Sequence, residues 1–338
     1  MLPLFAVLGA SVVVAALAGV IYQAIGARRD IRRFVAPGRF VDVAGRRLHV
    51  VSRGEGAPAV WFESAIAASS LSWSRVQHDV ALFTTAYAYD RAGLGWSDPP
   101  AGSLTLANVV DDLRAVIAAS RCAAPYVLVG HSFGAFVCLA FASAYPQQVR
   151  GLVLVDPPTD WIDMDRRRMY LLRGARQMSK LGGLLARVGV VRACLSLLTG
   201  GAPAAPRYFV KVFGPSTART IERLVGEVRK LPPEVHPLVQ AAWCRPKSFS
   251  AMADYLRVFE AAAKSAARHA LPRDIALTVI TAGDQPDDVR AAHERLVRAS
   301  SRGRHLVARG SGHWVPIDDP HLIVEAVREI VESVRSGR

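Results

Sequence analysis

The stretch Val127-Leu128-Val129-Gly130-His131-Ser132-Phe133-Gly134 decides the fold of this chain. Its first three residues are apolar, as in a buried strand, and small and apolar side chains continue from Ala135, as in a helix. The pattern G-x-S-x-G between them is typical of a sharp turn that exposes the serine hydroxyl, because glycine tolerates a strained backbone. The stretch therefore predicts Ser132 as a nucleophile between a strand and a helix.

Strand-like and helix-like segments alternate on both sides of this turn. Short apolar runs predict strands at 39–43, 46–52, 59–62, 84–89, 126–129, 149–155, 275–281 and 305–308. Helical periodicity is found at 71–82, 105–119, 135–144, 288–300 and 320–334. The alternation predicts an α/β fold with a mainly parallel sheet that helices cover on both faces.

The alternation stops between Pro157 and Arg273, where the chain has a helical pattern, is basic and is interrupted by Gly and Pro. This segment holds 20 Lys and Arg against 8 Asp and Glu, so it carries nearly all of the net charge of +14. Such a concentration favours an anionic partner, either a membrane surface or an acidic ligand. No nucleic-acid partner is expected, because no recognised binding motif accompanies the charge. The expected domains are an N-terminal segment (1–33), a core in two parts (34–156 and 274–338) and a helical insertion (157–273).

The N-terminal segment has no charged side chain before Arg28, and Leu2–Ile25 is almost wholly apolar. As a helix with a rise of about 1.5 Å per residue, it would span the roughly 30 Å hydrocarbon layer of a bilayer. Four arginines follow between Arg28 and Arg33, and the positive-inside rule keeps such a flank in the cytoplasm. We therefore expect a single-pass membrane anchor with a cytoplasmic catalytic domain. The alternatives are a cleaved signal peptide, with a weak cleavage site at 24–27, and a buried core helix.

A serine hydroxyl is a poor nucleophile without a base. His313 is the best candidate base, because Gly310-Ser311-Gly312-His313 forms a glycine-rich loop after the last predicted strand. A loop of this kind can aim an imidazole at the end of a neighbouring strand. We therefore predict His313 as the general base.

The chain resembles the α/β-hydrolase family from about Arg39 to Val334. The resemblance is carried by the G-x-S-x-G motif, by Tyr89-Asp90-Arg91-Ala92-Gly93-Leu94-Gly95-Trp96-Ser97-Asp98, by Gly151-Leu152-Val153-Leu154-Val155-Asp156 and by Gly312-His313. It implies an eight-stranded, mainly parallel sheet, a helical cap inserted after the sixth strand, a Ser-His-acid triad and no cofactor. No metal site is expected, because the four cysteines are scattered without a CxxC pair.

The acid of the triad stays open between two aspartates. The family usually takes it from the loop after the strand at 275–281, where Asp284 lies one residue early for the usual spacing. Asp287, in the same loop, ranks behind it because it can cap the next helix. Some family members take the acid from the end of the preceding strand, where Asp156 lies, although an aspartate before two prolines can also be structural. The acid would hold the His313 tautomer and stabilise the imidazolium.

The oxyanion hole is expected to include the backbone N–H of Phe133, the residue after the nucleophile. The second donor should come from Glu63-Ser64-Ala65-Ile66-Ala67, where Ala65 is the first candidate. Family members often have His-Gly or a glycine-rich string at this place. This chain departs from that pattern, which puts the donor geometry in question.

The resemblance implies a serine hydrolase that cleaves an ester-like bond of a small or lipophilic substrate through an acyl-enzyme. A serine at position 132 argues against epoxide hydrolases and haloalkane dehalogenases of this fold, which need an aspartate there. The alternatives on the same triad are an acyltransferase, with His313 and Asp318 at H-x4-D spacing, a cofactor-free haloperoxidase and a carbon–carbon hydrolase. A membrane-anchored scaffold without activity is the non-enzyme alternative.

Basic residues between Arg166 and Lys180 are interleaved with Met and Leu. This pattern predicts an amphipathic surface that could lie on an anionic leaflet and draw a lipid-like ester from the bilayer. The alternative is a solvated cap whose apolar underside covers the site.

Overall fold

The computed structural model describes residues 2–159, 166–199, 227–266 and 268–337. The predicted insertion at 157–273 is therefore described in part. Its described residues are helical over most of their length.

The described residues belong to two compact units. One, here called the helical unit, comprises Met1–Val35 and Gln177–Ser250, and the other, the sheet unit, comprises Ala36–Arg176 and Ala251–Arg338. The domain boundaries expected from the sequence at 33, 156 and 273 stay a prediction.

Eight strands form one sheet in the sheet unit: β1 (Arg39–Val43), β2 (Arg46–Arg53), β3 (Ala59–Glu63), β4 (Ala86–Tyr89), β5 (Tyr126–His131), β6 (Val149–Val155), β7 (Ala276–Ala282) and β8 (Arg302–Ala308). Their spatial order is β1-β2-β4-β3-β5-β6-β7-β8. β2 pairs antiparallel with β1 and β4, and all other neighbours run parallel. The predicted eight-stranded, mainly parallel sheet is confirmed.

The described residues form the α-helices α1 (Leu2–Arg33), α2 (Ser74–Val80), α3 (Leu106–Ala119), α4 (Phe133–Ala144), α5 (Arg166–Arg187), α6 (Val190–Thr199), α7 (His236–Trp243), α8 (Pro246–Ala266), α9 (Asp287–Val297), α10 (Val315–Asp318) and α11 (Pro320–Arg335). A 3₁₀ turn at Ser70–Trp73 precedes α2, so the helix predicted at 71–82 is in two parts. The helices α5 to α8 lie between β6 and β7 in the chain, which confirms a helical insertion after the sixth strand.

The sheet is buried on both faces. Leu128 and Leu152 belong to one hydrophobic cluster, while the next residue in each strand, Val129 or Val153, belongs to a second cluster. Successive side chains of a strand point to opposite faces, so the apolar runs of β5 and β6 fill both layers. This burial fixes the position of the loops that follow the two strands.

The carboxyl ends of β5, β6, β7 and β8 lie side by side, because these four strands are parallel neighbours. Loops that follow parallel strands meet at one edge of the sheet, where α/β folds place their ligands. Residues from four distant parts of the chain are therefore gathered at this edge.

The helix α1 is long and apolar enough to cross a membrane: within Gly9–Arg33, an 18-residue window has a mean hydropathy of 1.9. Up to Leu17, the side chains of α1 that the structure describes are exposed, including Phe5, Val13 and Leu17. The basic flank expected to follow the apolar segment belongs to the same helix, which ends at Arg33.

Candidate active site

Ser132 occupies the turn between β5 and α4. Its φ of 54° and ψ of −119° are rare for a residue with a side chain, so the turn is strained. Its N–H donates to the carbonyl of Val155 at the end of β6, at 2.9 Å. The neighbouring strand therefore holds the backbone of the turn in place.

Both glycines of the motif are required by close backbone packing. A Cβ at Gly130 would lie 2.5 Å from the carbonyl oxygen of Gly134. A Cβ at Gly134 would lie 2.3 Å from the carbonyl oxygen of Glu63 at the end of β3. The missing side chain at Gly130 lets the turn close on itself, and the missing side chain at Gly134 lets the turn approach the end of β3.

His313 lies in the loop after β8, with its imidazole partly exposed. Its Nδ1 lies 2.6 Å from Asp156 Oδ2. Asp318 fixes the preceding loop, because its Oδ2 accepts from the Gly312 N–H at 3.1 Å. The Asp318 carboxylate thus shapes the loop that carries His313.

Asp156 follows β6 in a left-handed conformation, with φ of 44°. The carboxylate is buried and accepts two more hydrogen bonds, from the Ala282 N–H at 3.1 Å and from Gln285 Nε2 at 2.7 Å. Burial opposes ionisation of Asp156, but the hydrogen bond and charge of His313 outweigh it, so its pKa lies below the ordinary value. Asp156 is therefore a carboxylate that orients the imidazole.

The other two acid candidates make no bond to the imidazole among the described residues. No hydrogen bond or ion pair joins Asp284 to His313 among the described residues. The Asp287 side chain is fully exposed, begins α9 and pairs with Arg290 at 3.6 Å. The structure thus brings Asp156, and neither of these two, to the imidazole.

His131, the residue before the nucleophile, supports the loop of His313 through a hydrogen bond. Its Nε2–H donates to the carbonyl oxygen of His313 at 2.7 Å. Burial, followed by the nearby charge of His313, lowers the pKa of His131 to about 3. His131 is therefore neutral at physiological pH and acts as a hydrogen-bond donor to the loop.

The two expected oxyanion donors are buried, and their N–H groups make no hydrogen bond within the part of the chain that the structure describes. The N–H of Phe133 is the first of α4, which has no partner within a helix. The loop of Ala65 is held through its carbonyls: Arg91 donates to Ser64 O at 2.5 Å and to Ala65 O at 2.6 Å. A carbonyl fixed in this way fixes the direction of the adjacent N–H groups.

Glu63, which departs from the family pattern, pairs with Arg91. The guanidinium Nη1 lies 2.8 Å from Glu63 Oε2, and Tyr89 donates its hydroxyl to the other carboxylate oxygen. Burial raises the pKa of Glu63, although the charge of Arg91 offsets part of this effect. Arg91 also lies between the rings of Phe133 and Tyr255, 5.0 and 4.9 Å from their centroids. The buried pair links the loop of Ala65 to the residue after the nucleophile.

Sequence reasoning missed Arg91, Gln285 and His131 as parts of this site. Arg91 lies in the motif that carries the family resemblance, and its place there, next to Asp90, was the available signal. Asp90 itself accepts from His49 Nδ1 at 2.8 Å and from the Ser70 N–H at 2.8 Å, so its carboxylate joins β2 to the turn at Ser70. The described residues contain no group of three or more His, Cys, Asp and Glu that could hold a metal ion.

Comparison with known proteins identifies the family of this chain and several of its relatives. The model of the alpha/beta hydrolase family matches residues 56–326. The chain is 28% identical over 315 residues to the uncharacterized protein Rv2715 of Mycobacterium tuberculosis, covering 90% of this chain and 85% of that one. It spans less than half the length of several other curated relatives that it matches.

Solved structures with the same fold include enzymes of different chemistry. A thermophilic esterase from Thermogutta terrifontis is 17% identical, with a TM-score of 0.60, and the match covers 87% of this chain and 98% of that one. The haloalkane dehalogenase DatA from Agrobacterium tumefaciens is 18% identical, with a TM-score of 0.61, over 87% and 96% of the two chains. At this identity the likeness concerns the fold alone.

Proposed function

The chain belongs to the alpha/beta hydrolase family, and on that basis we propose that it is a serine hydrolase with Ser132 as nucleophile, His313 as general base and Asp156 as the acid. The substrate is an ester-like compound, small or lipophilic. The observation that carries the proposal is the 2.6 Å contact between His313 Nδ1 and Asp156 Oδ2 at the sheet edge where Ser132 follows β5. The strained backbone of Ser132 supports it, because such strain is typical of functional positions.

The reaction follows from these positions. Ser132 Oγ attacks the carbonyl carbon of the ester while His313 Nε2 takes the hydroxyl proton, and Asp156 stabilises the imidazolium through Nδ1–H. The negative charge that develops on the carbonyl oxygen is stabilised by the N–H groups of Phe133 and Ala65. The imidazolium returns the proton to the departing alcohol, which leaves an acyl-serine. Water, deprotonated by His313, then attacks the acyl carbon, the bond to Ser132 Oγ breaks, and the imidazolium gives its proton to Oγ as the acid leaves.

The residue at position 132 favours this chemistry over that of related enzymes. Epoxide hydrolases and haloalkane dehalogenases of this fold attack with an aspartate, whereas a serine forms an acyl-enzyme with an ester. Hydrolysis is preferred to acyl transfer because Asp318, which completes the H-x4-D spacing, binds the Gly312 N–H.

Labelling with a fluorophosphonate probe tests the proposal. We expect the full-length protein to form one adduct at Ser132, and Ser132→Ala to form none. A series of nitrophenyl esters of increasing acyl length then reports the preferred substrate, and Ser132→Ala should lose the activity. An intact, folded protein that does not label would favour the inactive scaffold, and a labelled serine elsewhere would refute the assignment.

We also propose that α1 anchors the protein in a membrane, with the sheet unit on the cytoplasmic side. Its apolar segment, which is long enough to span a bilayer, and the four arginines at its carboxyl-terminal end support this placement. The helix α5 adds exposed Leu171, Met178 and Leu181 among its basic residues, which suits contact with an anionic leaflet. Resistance to alkaline extraction tests the anchor. Protease access to a carboxyl-terminal tag in sealed inverted vesicles tests the orientation.

A further inference from the structure

The helical unit contains a cavity of about 520 Å³ at the carboxyl-terminal end of α1. One face of α1 lines it, at positions 22, 26, 29, 30 and 33, which follow the spacing of successive helical turns. The opposite walls come from α6, through Arg192 and Ser196, and from α7. These residues are distinct from those of the candidate active site.

A buried polar network forms the wall between α1 and α6. Arg192 Nε donates to Gln23 Oε1 at 2.9 Å, and its Nη2 donates to Asp30 Oδ2 at 2.7 Å. Gln23 in turn donates to the carbonyl of Cys244 at 2.8 Å. Gly26 is required for this approach, because a Cβ there would lie 2.5 Å from Arg192 Nε. The network holds the Arg192 guanidinium in a fixed orientation.

The cavity is positively charged. Its lining includes Arg29, Arg33 and Arg192 against one acid, Asp30, which leaves two positive charges in excess. Arg192 uses its partner Asp30, whereas neither Arg29 nor Arg33 pairs with an acidic side chain among the residues described. Guanidinium groups bind phosphate oxygens through parallel N–H bonds, so two uncompensated arginines at one cavity suit a phosphate ester.

The position of the cavity along α1 indicates whether that ester would come from the membrane or from solution. Tyr22, the first lining residue, follows about 20 residues, a helical length of roughly 30 Å, which equals the hydrocarbon thickness of a bilayer. If α1 spans the membrane as proposed above, the cavity lies at the level of the lipid phosphates. Tyr22 and Phe34 on its lining are aromatic, as is common at this level.

We propose that this cavity binds the phosphate group of an anionic phospholipid, held by Arg29 and Arg33 of α1 and Arg192 of α6. A phospholipid headgroup and a soluble phosphate ester present the same phosphate chemistry, so a soluble phosphate ester is the alternative ligand. The site does not depend on the hydrolase activity, and only its lipid source rests on the proposed anchoring. Bound lipid would fix the end of α1 against α6 and α7.

The experiment uses the full-length protein in a neutral detergent. Phosphatidylglycerol and phosphatidylcholine are titrated separately, with bound lipid counted by native mass spectrometry and thermal unfolding followed in parallel. The test variant is Arg29→Gln/Arg33→Gln. The matched control is Arg28→Gln/Arg32→Gln, which removes the same charge from two exposed arginines of α1 that do not line the cavity. Glycerol 3-phosphate is titrated in the same way to test binding of a soluble phosphate ester.

We expect one tightly bound phosphatidylglycerol in the wild type and in the control. Binding to Arg29→Gln/Arg33→Gln should be about 30-fold weaker, which corresponds to about 2 kcal/mol. Equal weakening in both variants would mean general attraction of the basic helix end and would overturn the site, as would equal binding of phosphatidylcholine. Equally tight, Arg29- and Arg33-dependent binding of glycerol 3-phosphate would support the phosphate site and assign it to a soluble ester. Circular dichroism establishes that both variants are folded.

Discussion

Asp156 Oδ2 lies 2.6 Å from His313 Nδ1, although 157 positions separate the two residues in the chain. The contact arises because β6, β7 and β8 are parallel neighbours, so the loops after β6 and β8 meet at the same edge. Between them, the loop after β7 contributes the Ala282 N–H and Gln285 to the same carboxylate. Three loops therefore determine the direction in which the imidazole points.

The contact predicts that Asp156→Asn will be far more harmful than Asp284→Asn. An amide at position 156 favours the wrong tautomer of His313 and cannot stabilise its charge, so kcat/KM for a nitrophenyl ester should fall by about 10³- to 10⁴-fold. Asp284→Asn removes no bond to His313 and should change kcat/KM by less than about threefold. The reverse ranking would transfer the role of the acid to Asp284.

Stability should depend on pH through the same carboxylate. The pKa of Asp156 in the folded protein lies below its ordinary 3.8, since the hydrogen bond and charge of His313 outweigh burial, which acts in the opposite direction. The unfolded chain therefore binds the proton more readily, and the stabilisation is complete above about pH 4 and is lost as the pH falls through the folded pKa. We expect the difference in the free energy of unfolding between wild type and Asp156→Asn to be larger at pH 5 than below pH 4. Urea titrations at these pH values measure it, and a difference that grows on acidification would contradict the assignment.

Arg91 should act as a positioning residue. Arg91→Lys keeps the charge next to Glu63, but a single ammonium cannot reproduce the forked bonds to Ser64 O and Ala65 O. We expect kcat to fall by about 10- to 100-fold with little change in KM, less than the 10²- to 10³-fold expected for the loss of a whole oxyanion donor.

The control is Arg46→Lys, which alters a two-bond contact with Asp112 on the same unit. It should reduce stability slightly and leave kcat unchanged. A parallel loss of thermal stability and kcat in both variants would show that Arg91 has only a structural role.

His131 should contribute no titration to catalysis. Because its pKa lies at about 3, it is neutral throughout the working range, and its role is the bond to the His313 carbonyl. His131→Gln retains a donor, so the acid limb of the kcat/KM profile between pH 5 and 8 should be unchanged. His131→Leu loses the bond and should lower kcat about fivefold, the equivalent of one hydrogen bond of about 1 kcal/mol. A shifted acid limb in His131→Gln would assign the titration to His131.

Local patterns predict part of this site, and long-range contacts determine the rest. Ser132 and His313 are recognisable because each lies in a short motif of glycines next to a strand. The choice between Asp156 and Asp284 depends on which carboxylate the loops bring to the imidazole, and no local spacing contains that information. The same holds for Glu63: in the string Glu63-Ser64-Ala65-Ile66-Ala67 it departs from the family pattern, whereas its contact with Arg91, 28 positions away, shows that it supports the loop.

The start of β8 also could not be predicted from the local sequence pattern. The sequence predicts this strand from His305, but the strand begins at Arg302. Residues 302–304 pair with β7 through backbone hydrogen bonds, and such pairing leaves no apolar pattern in the sequence when the side chains are polar. β8 is the last strand of the sheet, so its side chains need not be apolar.

Gly19 allows α1 to pack closely within the helical unit. A Cβ at this position would lie 2.2 Å from the carbonyl oxygen of Val188, a backbone atom in the turn between α5 and α6 that cannot rotate away. Gly19→Ala should therefore separate α1 from this turn at a cost of about 1–3 kcal/mol, only partly offset by the gain of about 1 kcal/mol in helix propensity. The matched control is Gly9→Ala on the same helix, where no atom lies within 4 Å of the added Cβ. We expect a lower Tm of the full-length protein in detergent for Gly19→Ala and an equal or higher Tm for Gly9→Ala; equal Tm values for the two variants would mean that α1 does not pack on this turn in solution.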